Sequence, residues 1–248
     1  MIGYSGKIIG FSNNRVAGYG SGPVPPGPSS LPSDMHFVYL ANDFANGSIP
    51  NRASNSTVGG YTGTGTLTKN GSGSNCYLSN GNDDHSFLSV DLSYADLELM
   101  KGVSNVYTFY CRVMQTSQSG MGHVGGIFSW RFDGGYVYMI RSEDNLLQIH
   151  WWSGQNTLPL DIDTVYKITV NGDIFTVTNM LNPSSTWTGD ARLHGTREMG
   201  NTMTTFNAWY EGSGEAYLDR MYALAGIARA TTAAEDTAIT TAMMNQAV

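Results

Sequence analysis

Three groups of residues in this 248-residue chain have the types and spacing for chemistry. The first is paired carboxylates. Retaining cleavage of a glycosidic bond needs two carboxyl groups about 5–5.5 Å apart. Glu211-Gly212-Ser213-Gly214-Glu215 has a fitting outer spacing, but its glycines mark a turn rather than a strand. Asp161-Ile162-Asp163 sets two carboxylates on one face of an extended segment, and the plainer reading is a solvated turn. The second group is Asn80-Gly81-Asn82-Asp83-Asp84, which concentrates hard oxygen donors. Asn80, Asp83 and Asp84 are candidate ligands for Ca2+; Asp-x-Asp-x-Asp spacing is missing, and the plainer reading, an Asn-Gly-Asn polar turn, explains the residues by itself. The third group is aromatic. A ring stacks on the C–H face of a sugar while polar neighbours bond its hydroxyls. Trp151-Trp152-Ser153-Gly154-Gln155-Asn156 offers both, and Trp209-Tyr210 repeats the pattern. Adjacent strand residues face opposite ways, so one tryptophan is core and the other exposed. Trp152 with Gln155 and Asn156 is the leading candidate site, and Trp209 with Tyr210 the second. The competing reading has every ring filling the core.

Other catalytic signatures are missing. The five histidines are scattered with no pair at zinc-ligand spacing. The stretch 59–68, GGYTGTGTLT, has the glycines of a phosphate loop but β-type threonines where a helix should begin. No Ser/His/Asp set can be assembled. The chain reads as a non-enzyme.

The elements that must position these residues are strands. HFVYLA (36–41), a short run at 64–68, CYLS (76–79), SFLSVDLS (86–93), VYTFYCRVM (106–114), GGIFSWRF (125–132), YVYMIRS (136–142), LLQIHWW (146–152), TTFNAWY (204–210) and AYLDRMYALAGIARA (216–230) are β-like. TVYKITVNGDIFTVTNM (164–180) is the clearest hairpin, two alternating runs across Asn171-Gly172-Asp173. One helix is expected, at the C-terminus. Thr232-Ala233-Ala234-Glu235 is a capping box, and Ala234, Ile239 and Met243 form its apolar stripe, placed on the sandwich edge.

Composition agrees. Charged residues are 13% of the chain, about half the globular norm, and 30 glycines supply turns. With a net charge of −7 and no Lys/Arg cluster, the chain lacks the basic stripe that nucleic acid needs and the polybasic segment that anionic membranes attract. No stretch approaches the roughly 20 apolar residues of a membrane span. The opening MIGYSGKIIGFSNN does not read as a signal peptide. Cys76 and Cys111 are expected as buried reduced thiols, with pairing left open. Residues 1–20 read as a hairpin arm too small to stand alone. Residues 21–34, with five prolines, read as a semi-rigid linker, and 35–248 as the main domain.

In this order the pieces resemble the laminin G-like / concanavalin A-like superfamily of bacterial and phage surface proteins. The resemblance rests on the turn-rich stretch 46–75, the phrase Leu78 to Val90, the strand Val106 to Val113, the hairpin Lys167 to Val177, and the ending Leu218 to Glu235. It implies an all-β fold, a two-sheet antiparallel jelly-roll sandwich, with calcium the usual metal. Glycoside hydrolases of this fold carry Glu-x-Asp-x-Glu on a strand, which Glu211 to Glu215 do not match. The N-terminal peptide is similar to leaders on phage tail or head fibre proteins. That likeness implies a virion surface protein, made in the host cytoplasm and held on other virion proteins through residues 1–34. It further implies display of a domain for host-surface glycans, with a trimer as a natural base. The alternative is a purely structural capsid or tail decoration protein. A polysaccharide-degrading enzyme ranks third.

Overall fold

The computed structural model describes residues 31–80, 87–91, 93, 95–96, 106–114, 125–133, 136–143, 146–149, 155–157, 162–171, 174–190, 198–205 and 220–247. The hairpin arm and most of the proline-rich stretch therefore lie outside the described residues.

Among the described residues, sixteen strands form two antiparallel sheets. They are β1 (Met35–Leu40), β2 (Ser48–Ile49), β3 (Tyr61–Thr64), β4 (Thr68–Asn70), β5 (Tyr77–Ser79), β6 (Phe87–Asp91), β7 (Val106–Met114) and β8 (Gly125–Asp133), followed by β9 (Tyr136–Glu143), β10 (Leu146–Ile149), β11 (Gln155–Thr157), β12 (Thr164–Asn171), β13 (Ile174–Asn179), β14 (Thr186–Asp190), β15 (Glu198–Thr205) and β16 (Arg220–Ile227). Sheet A runs β14-β13-β12-β7-β16-β5-β4. β1 lies beside β16 along Ala223–Ile227, end to end with β5, which pairs at Met221. Sheet B runs β11-β10-β9-β8-β15-β6-β3-β2. The architecture is the expected all-β sandwich.

The central strands of sheet A are buried on both faces, so they read as nearly continuous apolar runs. In β7, Tyr107, Phe109, Cys111 and Val113 point inward, and Thr108, Tyr110 and Arg112 point outward. The inward cluster joins Phe37, Tyr39, Leu78, Ile168 and Leu224 of sheet A to Ile49, Tyr61, Leu88 and Val90 of sheet B. Tyr39 and Tyr61 bridge the sheets with ring centroids 4.3 Å apart. Cys76 and Cys111 are buried and free, and burial pushes the Cys111 thiol up to about 12.

Gly226 shows how tight this core is. A Cβ there would sit 2.6 Å from Cε1 and 2.7 Å from Cζ of Phe37, and 2.8 Å from the Tyr107 hydroxyl. These are ring atoms wedged in the core and cannot swing away. Gly226→Ala is expected to cost at least the usual 1–3 kcal/mol of overpacking, or roughly 2–4 °C of melting temperature per kcal/mol. A thermal melt of the variant checks it.

The C-terminal helix, α1 (Ala233–Asn245), starts as expected. Glu235 N donates to Thr232 Oγ1 at 3.3 Å, and Thr232 N donates to Glu235 Oε2 at 2.8 Å. Its position corrects the expectation of an edge. It lies on the outer face of sheet A, with Ile239 and Met243 against Met35, Val38, Leu40, Val165, Ala223, Ala225 and Ile227. Ala234 is exposed and Ala238 is buried in its stead. The reason lies in β16, whose outward positions Ala223 and Ala225 leave a shallow floor for a helix.

Other boundaries moved. The expected strand at 64–68 is instead the crossing between sheets: β3 belongs to sheet B and β4 to sheet A. Gly65, at φ 75°, makes the break. β14 was not anticipated. Residues 31–34 of the proline-rich stretch dock on the sandwich. Leu31 packs on the outer cluster, Asn55 Nδ2 donates to Ser33 O at 2.8 Å, and Arg229 grips Asp34 at 2.6 and 2.8 Å and Glu235 at 2.7 Å.

Candidate ligand-binding surfaces

Of the residues flagged from sequence, Gln155 and Asn156 fall on sheet B among the described residues. Gln155 and Asn156 lie in β11, the edge strand of that sheet, paired with Gln148 and Leu147. Trp152, which precedes them, lies outside the described residues, as do Trp209, Tyr210, Asp83 and Asp84. Asn80 follows β5, is buried, and has a partner within the protein.

Strand polarity groups these segments. β10 runs antiparallel to β9 and β9 to β8, so β10 runs parallel to β8; β15 runs antiparallel to β8. The chain therefore leaves β10, toward Trp152, in the direction opposite to that in which it leaves β15, toward Trp209 and Tyr210. The two strands are three positions apart in the sheet. β6, reached from the 80–86 stretch, begins beside the end of β15, with Thr205 opposite Leu88. The calcium-candidate stretch and the Trp209-Tyr210 stretch are thus rooted at adjacent strand ends, and the Trp152 stretch leaves elsewhere. The aromatic groups do not share a root.

The carboxylate reading is narrowed by Arg112, which the sequence reading passed over. Its guanidinium, 2% exposed, engages Asp163 through both Nε and Nη2. Nη1 lies 2.8–3.0 Å from the carbonyl oxygens of Ser74, Met243 and Met244. The Tyr222 ring lies 4.4 Å below it. Asp163 is therefore the counter-ion of a buried cation; Asp161 lies outside the described residues. Lys167 and Tyr110 hold Asp236 of α1 in the same manner, at 2.7 and 2.5 Å.

A second buried polar group joins residues far apart in sequence. Tyr107 Oη lies 2.6 Å from His36 Nδ1, and His36 Nε2 lies 3.5 Å from Asp96 Oδ1. Asp96 accepts from Thr57 at 2.5 Å and from the Ser93 amide and hydroxyl at 2.9 and 2.6 Å. The carboxylate–imidazole–hydroxyl order is that of a catalytic relay. Exposures of 1–4% for Asp96, Tyr107 and His36 leave it no access to substrate, so it is a lock between β1, β7 and the 51–60 and 93–96 segments.

This lock has a pH signature. Burial holds His36 below its ordinary value, against the pull of Asp96. Burial pushes Asp96 up, but the Ser93 and Thr57 hydrogen bonds outweigh it and hold the carboxyl below its ordinary range. Both shifts act in one direction. As pH falls through about 6.5, the unfolded chain takes up a proton on His36 that the folded chain refuses, and stability drops. The Asp96 contribution, present above about 3.9, is lost at lower pH as the folded carboxyl protonates. Urea midpoints are expected to fall between pH 7.5 and pH 5, and His36→Gln to flatten that slope.

Comparison with known proteins places the fold. No family model and no curated protein matches the sequence. Among solved structures, the chain is similar to the Trypanosoma rangeli sialidase in complex with 2,3-difluoro-KDN, with a TM-score of 0.62 and 9% identity. That match covers 90% of this chain and 36% of the sialidase, so the chain spans about a third of the sialidase's length. It is similar to domain 4 of AbnA, a GH43 extracellular arabinanase from Geobacillus stearothermophilus, in complex with arabinotriose. There the TM-score is 0.57 and the identity 12%, over 83% of this chain and 98% of that domain. It is also similar to the binding domain of botulinum neurotoxin serotype D/C, with a TM-score of 0.54 and 9% identity, over 85% and 52%. Identities this low establish the fold alone, and that fold is the β-sandwich.

Proposed function

We propose that this protein is a non-enzymatic carbohydrate-binding β-sandwich. The observation that carries the reading is the match to nearly all of an arabinanase domain in complex with arabinotriose. Two features support the non-enzymatic part. The Glu211–Glu215 spacing is interrupted by glycines, and Asp163 is held by Arg112. The primary sugar contact in this reading is Trp152 with Gln155 and Asn156, the latter two in the edge strand of sheet B; Trp209 with Tyr210 is the second. Asn80, Asp83 and Asp84 are the proposed calcium ligands. In the fuller form of this reading, the domain is a phage surface or fibre module, anchored through residues 1–34 and directed at host glycans. That part rests on the sequence of the leader.

The deciding test compares binding with cleavage. Polysaccharides retained by the full chain are incubated with it, with calcium and with EDTA, and assayed for new reducing ends. The reading expects retention, no new ends, and at least tenfold weaker binding by Trp152→Ala. New reducing ends would make the protein an enzyme.

A further inference from the structure

The outer face of sheet A beyond α1 carries a regular array of threonines. Register sets Thr108, Thr169, Thr176 and Thr188 side by side across β7, β12, β13 and β14. Thr178 and Thr186 form the next row. All share the face on which Lys167 reaches α1, because strand side chains alternate with period two. Thr108 is buried beneath the β16–α1 connection, where it donates to Arg229 O. Thr169, Thr176 and Thr178 are half-buried, and Thr186 and Thr188 are exposed. Among the described residues, the Thr176 and Thr188 hydroxyls have no partner. The rows are spaced by sheet geometry at about 4.8 Å between strands and about 6.8 Å along them.

We propose that this hydroxyl grid is a binding face for a neutral polysaccharide chain, an inference that rests on the carbohydrate-binding reading above. Thr176 and Thr188 each offer a donor and acceptors beside a methyl group, the pairing that a sugar's hydroxyls and C–H face require, while Thr186 spends its hydrogen on Pro183 O and Thr178 Oγ1. The β-branched side chain is stiff at χ1, so the grid meets its ligand already ordered and loses little entropy on binding. Charge selects the class. Lys167, the one charged side chain described on this face beside the grid, is bound by both oxygens of Asp236 at 2.9 and 2.7 Å. Among the described residues an acidic sugar would meet no free cation on this face, and the chain's net charge of −7 opposes it further. Ile174, 58% exposed at the hairpin end of the same face, adds an apolar contact.

The test uses the full chain against immobilised neutral polysaccharides (arabinan, xylan and dextran) and one acidic polysaccharide, alginate. Thr176→Val/Thr188→Val removes two hydroxyls while keeping shape and strand preference. Wild type is expected to bind a neutral polysaccharide, and the double variant to bind it at least tenfold more weakly with an unchanged melting temperature. Equal binding by wild type and double variant overturns the grid and leaves the carbohydrate reading standing. Binding confined to alginate also overturns it. Wild type that binds none of the four overturns the grid, and a blank on a broad glycan array as well would overturn the reading beneath it. Sedimentation supplies a control: self-association of wild type that the double variant abolishes would assign the face to a second copy of the chain.

Discussion

Arg112→Ala is expected to destabilise the protein by about 3–5 kcal/mol, the range for breaking one side of a buried ion pair. Three things are lost together. Asp163 is left without its counter-ion. The carbonyls of Met243 and Met244, at the negative end of α1, lose a cation that their dipole favours. The Ser74 carbonyl and the Tyr222 ring lose the group that ties them to β7. Against a total stability of about 5–15 kcal/mol, such a loss should lower the urea midpoint sharply. Arg112→Lys should recover only part of it, because an ammonium cannot grip Asp163 as a fork and reach the helix carbonyls together. Full recovery by lysine would mean that charge, not the fork, matters here.

Ending the chain at Thr231 is the second large effect, and the expected product is insoluble or molten. Without α1, Met35, Val38, Leu40, Val165 and Ile227 face water. Each large apolar side chain so exposed costs roughly 1.5–3 kcal/mol, so the sum rivals the whole stability of the domain. The polar ties go as well: Tyr110 and Lys167 lose Asp236, and Arg229 loses Glu235. Gln246 marks the far end. It takes the left-handed conformation at φ 54°, donates to the carbonyls of Cys76 and Tyr222, and accepts from the Asn42 amide. Loss of near-ultraviolet circular dichroism with sheet signal retained is the expected observation. A truncated chain with a cooperative melt near that of the full chain would show that α1 is an accessory.

What could be read in the sequence was local. The 164–180 hairpin followed from alternation on either side of Asn171-Gly172-Asp173, and Asn171 itself pairs with Ile174 as the end of β12. The capping box followed from Thr232 and Glu235 alone. What could not be read depends on packing. The run of β16 is apolar on both faces, which signals two-sided burial without saying what covers the outer one. Thr186-Trp187-Thr188-Gly189-Asp190 is short and ends in residues that strands disfavour, so β14 was hidden. Arg112 reads as a solvent-facing strand residue until the C-terminus is laid over it. His36 and Asp96 are 60 positions apart, and nothing local announces their contact. The candidate sugar residues are legible by type, but the opposite directions of β10 and β15, the strands that lead to them, are a relation no local pattern holds.

The central claim, that this sandwich binds carbohydrate, is tested most directly by placing the folded full chain on a broad glycan array with calcium and with EDTA. Saturable binding to a defined set of glycans is the expected result, and weakening by EDTA alone would assign calcium a part in it. A protein that melts cooperatively yet binds nothing on the array under either condition would contradict the account and leave a structural role.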